Sequence, residues 1–565
     1  MEGRFVAVAT AETGMVGYEL KLQIIERLRD RIGNIFDTSN LLLTSTHTHS
    51  APGGYLTAFM FAFSVKGIHW DAFDRIVVGC ATALETAFNK RQAAGIFMTR
   101  GLIENVQMNR SPTSYMANPA DERLNYDSDT NKEAFSLIFK ESNSSQNALG
   151  SFTWFGLHPT SLNYTNRMVS SDNRGYAAWK LERDLGPNYI AAIPQESEGD
   201  VSPNTAGPIC PDGSPCDART STCTVGKCIA YGPGEDMFDS VKIIGDTISS
   251  TLKSNFINAK PLNGTIVRSI NKYVDFSNSR FSDLSNETTC SAAFGCSFAA
   301  GTIDGNPLDL NEWPFYQGDT ECVGKPIRLL GTLLQQPSKL VIDCHHPKPI
   351  LLDSGEMNIP WNWSPSVLEL QIIQIGSVLI LALPFEITTM ASRRLRKNIK
   401  KESDRLQIPF THIIVSPLSN DYADYLTTFE EYQEQRYEAA STIFGPNSLT
   451  AVEYHFKKLL NGLIHDKSDE INSSRPADNR NKHYSVIPDV IYDIPFPRGV
   501  DGAIKHDVLS QYFVGETVIV EFYGANPRNA QTEPFMVIEQ MTSNGQNWTV
   551  FDDDSSWYTK VHWKR

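Results

Sequence analysis

The chain has 565 residues, 41% hydrophobic and 20% charged, so it is long enough for more than one domain and is not a disordered polymer. With 65 acidic against 50 basic residues, its formal charge of -15 argues against a nucleic-acid partner and against adhesion to anionic lipid, leaving neutral substrates and neutral lipids open. The longest apolar runs, Tyr55–Phe63 and Val378–Pro384, fall well short of the roughly 20 residues that a membrane-spanning helix needs.

In chain order, "RFVAVAT" from Arg4 predicts a strand and Tyr18–Ile32 a helix whose apolar residues recur at three- and four-residue spacing. A second strand, "NLLLTST" from Asn40, runs into His47 and His49, just before a Pro-Gly-Gly turn. Side chains at i and i+2 of an extended segment share a face, so both imidazoles leave the strand end together. They serve either as a metal ligand with a second nitrogen beside it or as ordinary polar residues at a strand end. Trp70–Arg91 and Asp236–Phe256 predict further helices, and "SFTWFGL", "YIAAIP" and "SVLILALP" further strands. Several of these strands are apolar throughout, as parallel strands buried on both faces tend to be, so an α/β core follows. Near 471–483 the chain turns polar and aperiodic, predicting a linker between a domain at 1–470 and one at 484–565. The latter carries short β-rich runs that suggest a small β-sandwich, with few strands for closure.

Nine cysteines are present, and Cys210, Cys216, Cys223 and Cys228 crowd into one loop at spacings that suit disulfides better than the CxxC pairs of zinc ribbons. Cys290, Cys296, Cys322 and Cys344 are candidates for pairing too, leaving Cys80 as an expected buried thiol. N-x-S/T sequons stand at Asn109, Asn143, Asn163, Asn263, Asn286, Asn362, Asn472 and Asn547. Together these features favour a secreted or extracellular-face, glycosylated protein. The opening residues do not resemble a signal peptide, from which a chain shortened at its N-terminus is expected.

His158 follows "SFTWFGL", and Pro159 keeps it out of helical geometry. Glu386 follows "SVLILALP", where its alternative role is a first-turn glutamate favouring a helix dipole. With His47, these residues lie beyond the ends of three strands, where ligands gather in open α/β sheets. Two histidines and a carboxylate suit a catalytic zinc, which lowers the pKa of bound water and polarises a carbonyl, so amide or ester hydrolysis is the expected reaction. Ser202 in "GDVSPN" lacks the surroundings of a nucleophile elbow and is otherwise a turn residue. Tyr422, Tyr425, Tyr432 and Tyr437 form a tyrosine-dense stretch, suited to packing or to hydrogen-bonding a developing oxyanion.

The motifs "TSTHTHSAPGGY", "NRSPTSY", "HPTS", "GDVSPN", "CIAYGPGEDMFDS", "AAGTIDG" and "YEAASTIFGP", in this order, resemble those of neutral (non-lysosomal) ceramidases from about Arg4 to the C-terminus. The resemblance implies a secreted or surface-associated zinc amidase that splits ceramide into sphingosine and a fatty acid, meeting membranes only as the source of its lipid. It implies an α/β catalytic domain with a mixed sheet and an immunoglobulin-like sandwich, here incomplete. Carried over by position, it makes His47, His158, Glu386 and Tyr425 the Zn2+ ligands. It places His49, Arg110, Tyr437 and Ser202 around the scissile amide, with a nucleophilic role as the alternative for Ser202. It pairs Cys210 with Cys223, Cys216 with Cys228 and Cys290 with Cys344.

The aromatic segment Tyr55–Val65 then becomes either an apolar entrance for lipid chains or a core helix. Two residues depart from the family pattern: Glu12 stands where aspartate is usual, and Phe385 where glycine is usual, which predicts crowding of the Glu386 backbone. The competing expectation is a catalytically weak lipid-binding paralogue or incomplete product of the same family.

Overall fold

In the computed structural model, which describes residues 5–560 except 142–147, 218–219, 224–226, 285–286, 306–314, 320, 323–334, 467–473, 488–499, 501 and 527–533, the chain divides into compact units at 1–485 and 486–565. The first unit opens with β1 (Ala7–Ala11), α1 (Tyr18–Ile32) and β2 (Leu41–Ser45), and β1 and β2 pair in parallel. After α2 (Phe59–Ser64) comes α3 (Trp70–Asn89), whose Phe73, Val77, Ala81 and Leu84 pack with Leu20, Ile24 and Leu28 of α1. That contact is the apolar stripe the helical spacing predicts.

Next in the chain are β3 (Ala94–Leu102), β4 (Met108–Asn109), β5 (Glu133–Glu141), β6 (Ala148–Trp154), α4 (Asp172–Leu185), β7 (Ile190–Ala192) and β8 (Val201–Ser202). Then come α5 (Met237–Phe256), capped by the Asp236 carboxylate on the Asp239 amide, and β9 (Lys260–Pro261). One sheet runs in the order β9-β3-β5-β6-β7, antiparallel except for the β6–β7 pair. Ala177 and Leu181 of α4 and Ile244, Ile248 and Leu252 of α5 share a core with Phe155 and Ile193 on its outer side.

A second sheet joins β10 (Val267–Asp275), β11 (Val367–Ile375), β12 (Val378–Ala382) and, beyond β13 (Glu386–Ile387) and α6 (Thr389–Arg405), β14 (His412–Ser416). After β15 (Tyr425–Leu426) the unit closes with α7 (Ser448–His465). Leu370, Ile372, Leu379 and Leu381 face Leu395 and Ile399 of α6 and Val452, Phe456 and Leu459 of α7. Alternate residues Ile373, Ile380 and Ile414 face Phe135, Leu137 and Trp154 of the first sheet, and Trp154 Nε1 donates to Ser416 Oγ across the seam at 3.2 Å. The layers therefore run helix, sheet, sheet, helix. β12 is apolar throughout because it lies between a helix layer and a second sheet; it is antiparallel to β11 and parallel to β14.

Disulfides join Cys210 to Cys223, Cys216 to Cys228 and Cys290 to Cys344, and a fourth joins Cys296 to Cys322. Cys80 is free and half-buried rather than fully enclosed. The described part of the polar stretch before residue 485 is strapped to α1: the Asn479 amide donates to Glu19, and Arg480 pairs with Glu26. In the second unit, Ile504–His506 pairs with Glu521–Phe522 and Val537–Met541 with Trp548–Asp553, both antiparallel. Among the described residues these pairs do not join into one sheet.

Candidate active site

The strand-end histidines meet. His47, in a left-handed backbone conformation (φ 70°), holds its Nδ1 at 2.6 Å from the Gly14 carbonyl. His158 holds its Nδ1 at 2.7 Å from the Glu198 carbonyl. A carbonyl only accepts, so each Nδ1 donates to it and each ring turns its Nε2 towards Glu386. Glu386 Oε2 lies 3.2 Å from both Nε2 atoms, and its Oε1 accepts the Tyr422 hydroxyl at 2.7 Å. Burial, and then Arg110, pushes the His158 pKa down to about 3, so the ring is neutral. Burial opposes charge on Glu386, but the facing histidines outweigh it and hold the carboxyl well below its ordinary range.

Buried His158 Nε2 and Glu386 Oε2 have no hydrogen-bond donor. A buried imidazole nitrogen and a buried carboxylate oxygen that face each other without a partner are what a bound cation would satisfy. The residues therefore fit a metal. His49 Nε2 stands 3.2 Å from His47 Nε2, and nitrogens of all three histidines fall within 4.8 Å of one another. His49 is exposed to solvent on one face; desolvation by the groups packed around its ring, then His47 and His158, holds its pKa well below the usual value.

β13 pairs with β15 so that Glu386 stands opposite Tyr425. The Tyr425 hydroxyl accepts from Arg110 Nη2 at 2.9 Å, and its ring lies 5.4 Å from that of Tyr437. Burial first, then Glu386, raises both phenols' pKa, so both keep their protons at neutral pH. The β4–β8 pair sets Met108 against Ser202 and thereby brings Arg110 beside it. Arg110 also donates Nε to Glu438 at 2.9 Å, Nη1 to Asp304 at 3.2 Å and Nη2 to the Gly199 carbonyl at 2.9 Å. Ser202 Oγ donates to Asp304, which also accepts from the Asn204 side chain at 2.8 Å. Asp200 of the same motif accepts the Thr389 amide at 2.8 Å, tying β8 to the first turn of α6.

All eight residues expected in the site are thus neighbours or share a partner. Asp304, Glu438 and the carbonyls of Gly14 and Glu198 have no expected role in the sequence, and Tyr422 is expected as packing or an oxyanion donor rather than as the partner of Glu386. Asp304 lay within the quoted "AAGTIDG" and Glu438 directly after Tyr437, but neither position reveals a bond to Arg110.

The expected crowding by Phe385 is corrected. Its ring turns into the core and is fully buried against Phe276 and Phe444, with centroids at 5.4 and 6.3 Å. Segment Tyr55–Val65 proves mixed: Phe59 packs on Trp361, Trp363 and Tyr484, whereas Phe63 is exposed. Of the sequons, Asn109 is buried and its amide donates to Asp200 and the Asp129 carbonyl, which closes it to glycosylation in the folded chain. Asn143, Asn286 and Asn472 lie outside the described residues.

A cluster of imidazole, carboxylate and phenol groups at strand ends, open to solvent at His49 and with Ser202 bonded to Asp304 rather than to a histidine, is the arrangement of a hydrolytic enzyme. The chain belongs to the neutral/alkaline non-lysosomal ceramidase family, whose N-terminal domain matches residues 1–454 and whose C-terminal domain matches 456–565, and it is an amidase of that family. It is 37% identical over 590 aligned residues to a neutral ceramidase of Drosophila melanogaster, covering 100% of this chain and 82% of the relative. It is 38% identical over 582 residues to neutral ceramidase B of Dictyostelium discoideum, covering 99% and 79%. A crystal structure of the neutral ceramidase from Pseudomonas aeruginosa superposes with a TM-score of 0.81 at 26% identity, covering 99% of this chain and 82% of that one. A ceramidase complexed with C2 superposes with a TM-score of 0.82 at 27% identity, covering 97% and 82%. The boundary between the two family matches falls within α7, whereas the compact units divide between 485 and 486.

Proposed function

We propose that the chain hydrolyses the N-acyl bond of ceramide to a sphingoid base and a free fatty acid, with zinc held by His47, His158, Glu386 and Tyr425. The observation that carries this reading is the convergence of the Nε2 atoms of His47 and His158 on a buried Glu386 oxygen, that oxygen and His158 Nε2 having no hydrogen-bond partner. Zinc there would supply an activated water and a polarised carbonyl.

The chain's own residues provide the rest. Arg110, whose charge is favoured over burial by Tyr425, Glu438 and Asp304, sets a fixed positive charge beside the phenols. Tyr437, protonated at neutral pH, can donate to the oxygen on which negative charge develops. His49, neutral and at the mouth, can take a proton and pass it to the leaving amine. Ser202, whose hydroxyl proton points at Asp304 rather than at an imidazole, orients the substrate instead of attacking it.

Eight cysteines in disulfides and exposed sequons at Asn263, Asn362 and Asn547 support a secreted or cell-surface setting. Residues 486–565 are read, on family membership, as an immunoglobulin-like module.

The test is release of fatty acid from a fluorescent short-chain ceramide near neutral pH, with and without a strong zinc chelator. Chelator-sensitive release is expected. Release indifferent to the chelator would move the chemistry to Ser202, and no release from a folded, zinc-loaded chain would leave lipid binding as the function.

A further inference from the structure

Behind Glu386, on the far side of Tyr422, lies a second cavity of about 190 Å³. It is bounded by the start of α1, by Leu56–Ala58 and Phe61, and by residues 476–479. Two carboxylate residues line it, Glu19 and Asp421, which are only 6% and 8% exposed. Tyr18, Phe61 and Tyr422 contribute aromatic surface, and Leu56, Pro365 and Val367 complete an apolar wall. None of the described residues lining it is lysine, arginine or histidine.

The two acids have local donors and, among the described residues, no direct ion pair; Lys21 acts on Asp421 only as a more distant charge. Glu19 accepts the Asn479 amide at 3.2 Å, and Asp421 Oδ1 accepts the Tyr422 amide at 2.9 Å. Lys21, the nearest buried cation in α1, is engaged by both oxygens of Glu369 at 2.8 and 2.9 Å, and Arg480 is engaged by Glu26 and Asp478. Burial raises the pKa of both carboxyls, and the charge of Glu19 raises that of Asp421 further. Burial disfavours the charged form of both carboxyls, and a cation seated beside them would favour it, so the cavity suits a positive occupant.

We propose that this cavity binds an organic ammonium head group. A hard metal ion wants oxygen ligands on all sides, whereas these walls are largely aromatic and aliphatic. An ammonium carrying carbon substituents uses both kinds of surface, with charge to the carboxylates and ring faces around the carbons. The volume admits a head group and not a long chain. Tyr422 makes the site consequential, because its ring lines the cavity and lies 5.4 Å from that of Phe61, while its hydroxyl holds Glu386 Oε1. An occupant therefore touches the residue that orients the candidate metal ligand. The head group can come from a free small amine or from a sphingoid base, and only the second source rests on the ceramidase reading.

The experiment is calorimetric titration of the full, zinc-loaded chain with choline, with its uncharged isostere 3,3-dimethylbutan-1-ol, and with a soluble short-chain 2-amino-1,3-diol. Choline or the amino diol should bind at least about tenfold more tightly than the neutral isostere. Glu19→Gln and Phe61→Leu should each weaken that binding about fivefold or more, with melting temperature and zinc content as checks on folding. Binding of the amino diol without choline would identify a primary ammonium of the sphingoid type; the converse would identify a free quaternary amine. Equal binding of charged and neutral ligands, or binding unchanged in both folded variants, would overturn the proposal and place any amine elsewhere. Because nothing is hydrolysed in the titration, a failure of the ceramidase reading leaves its outcome untouched.

Discussion

Asp304 receives three donors at once: the Ser202 hydroxyl, the Asn204 amide and the Arg110 guanidinium. It fixes where the serine proton points and supplies half of the carboxylate pair that holds Arg110 beside Tyr425. Asp304→Asn keeps the shape but loses the charge and one acceptor. Hydrogen bonds to charged groups contribute roughly 1.5–3 kcal/mol, so kcat should fall about 10–100-fold. KM should change only a few-fold and bound zinc should stay the same; steady-state kinetics beside metal analysis checks this, and a change in melting temperature alone would reduce Asp304 to a packing role. The meeting of His47, His158 and Glu386 was legible, because a histidine or glutamate directly beyond an apolar strand has few places to point, whereas Tyr425 enters only through the family resemblance. Asp304 was not legible, since its three partners lie far away in sequence and only the folded chain brings β4, β8 and residue 304 together.

Among the elements, α1 and α5 follow the periodicity closely, with α5 beginning just after Asp236, whose side chain caps it. The long antiparallel strands β10 and β11 escaped the reading because their polar residues face partners rather than water. Arg268 bonds Gln374 at 2.7 Å and Asn271 bonds Glu369 at 2.7 Å across the pair, which no single strand's pattern reveals. The contact of α7 with the segment after β10 carries a pH dependence. His455 is buried, its Nε2 2.7 Å from Ser279 Oγ, and burial, then Lys272 and Lys458, pushes its pKa down to about 3. The unfolded chain protonates this histidine below roughly pH 6.5 while the native chain keeps it neutral, so stability falls with pH through that window, by roughly 2 kcal/mol at pH 5. Denaturant unfolding at pH 7 and pH 5 should therefore show a smaller acid-induced loss for His455→Asn than for the natural chain. An equal loss in both would remove His455 from the account.

At the scale of the whole first unit, the candidate ligands come from the ends of β2 and β6, the start of β13 and the start of β15. A metal at their meeting point would join elements of different layers of the fold. The layering was the least legible feature, because the strand runs suggested a buried parallel sheet, whereas two mostly antiparallel sheets face each other across Phe135, Trp154, Ile380 and Ile414. In that architecture metal binding is coupled to folding of the unit: a ligand at a thousand times its dissociation constant stabilises by about 4 kcal/mol. For a unit of this size the expected consequence is a rise of several degrees in melting temperature when zinc is restored to chelator-treated protein. His158→Ala, which removes one nitrogen from the cluster, should lower the zinc-free melting temperature little and abolish most of that rise, since an uncompensated set of acceptors is already present without metal. Calorimetric melting of the natural chain and the variant, each with and without zinc, separates these terms. A zinc-induced rise that survives His158→Ala would place the stabilising ion away from the strand-end cluster, even if hydrolysis still required it.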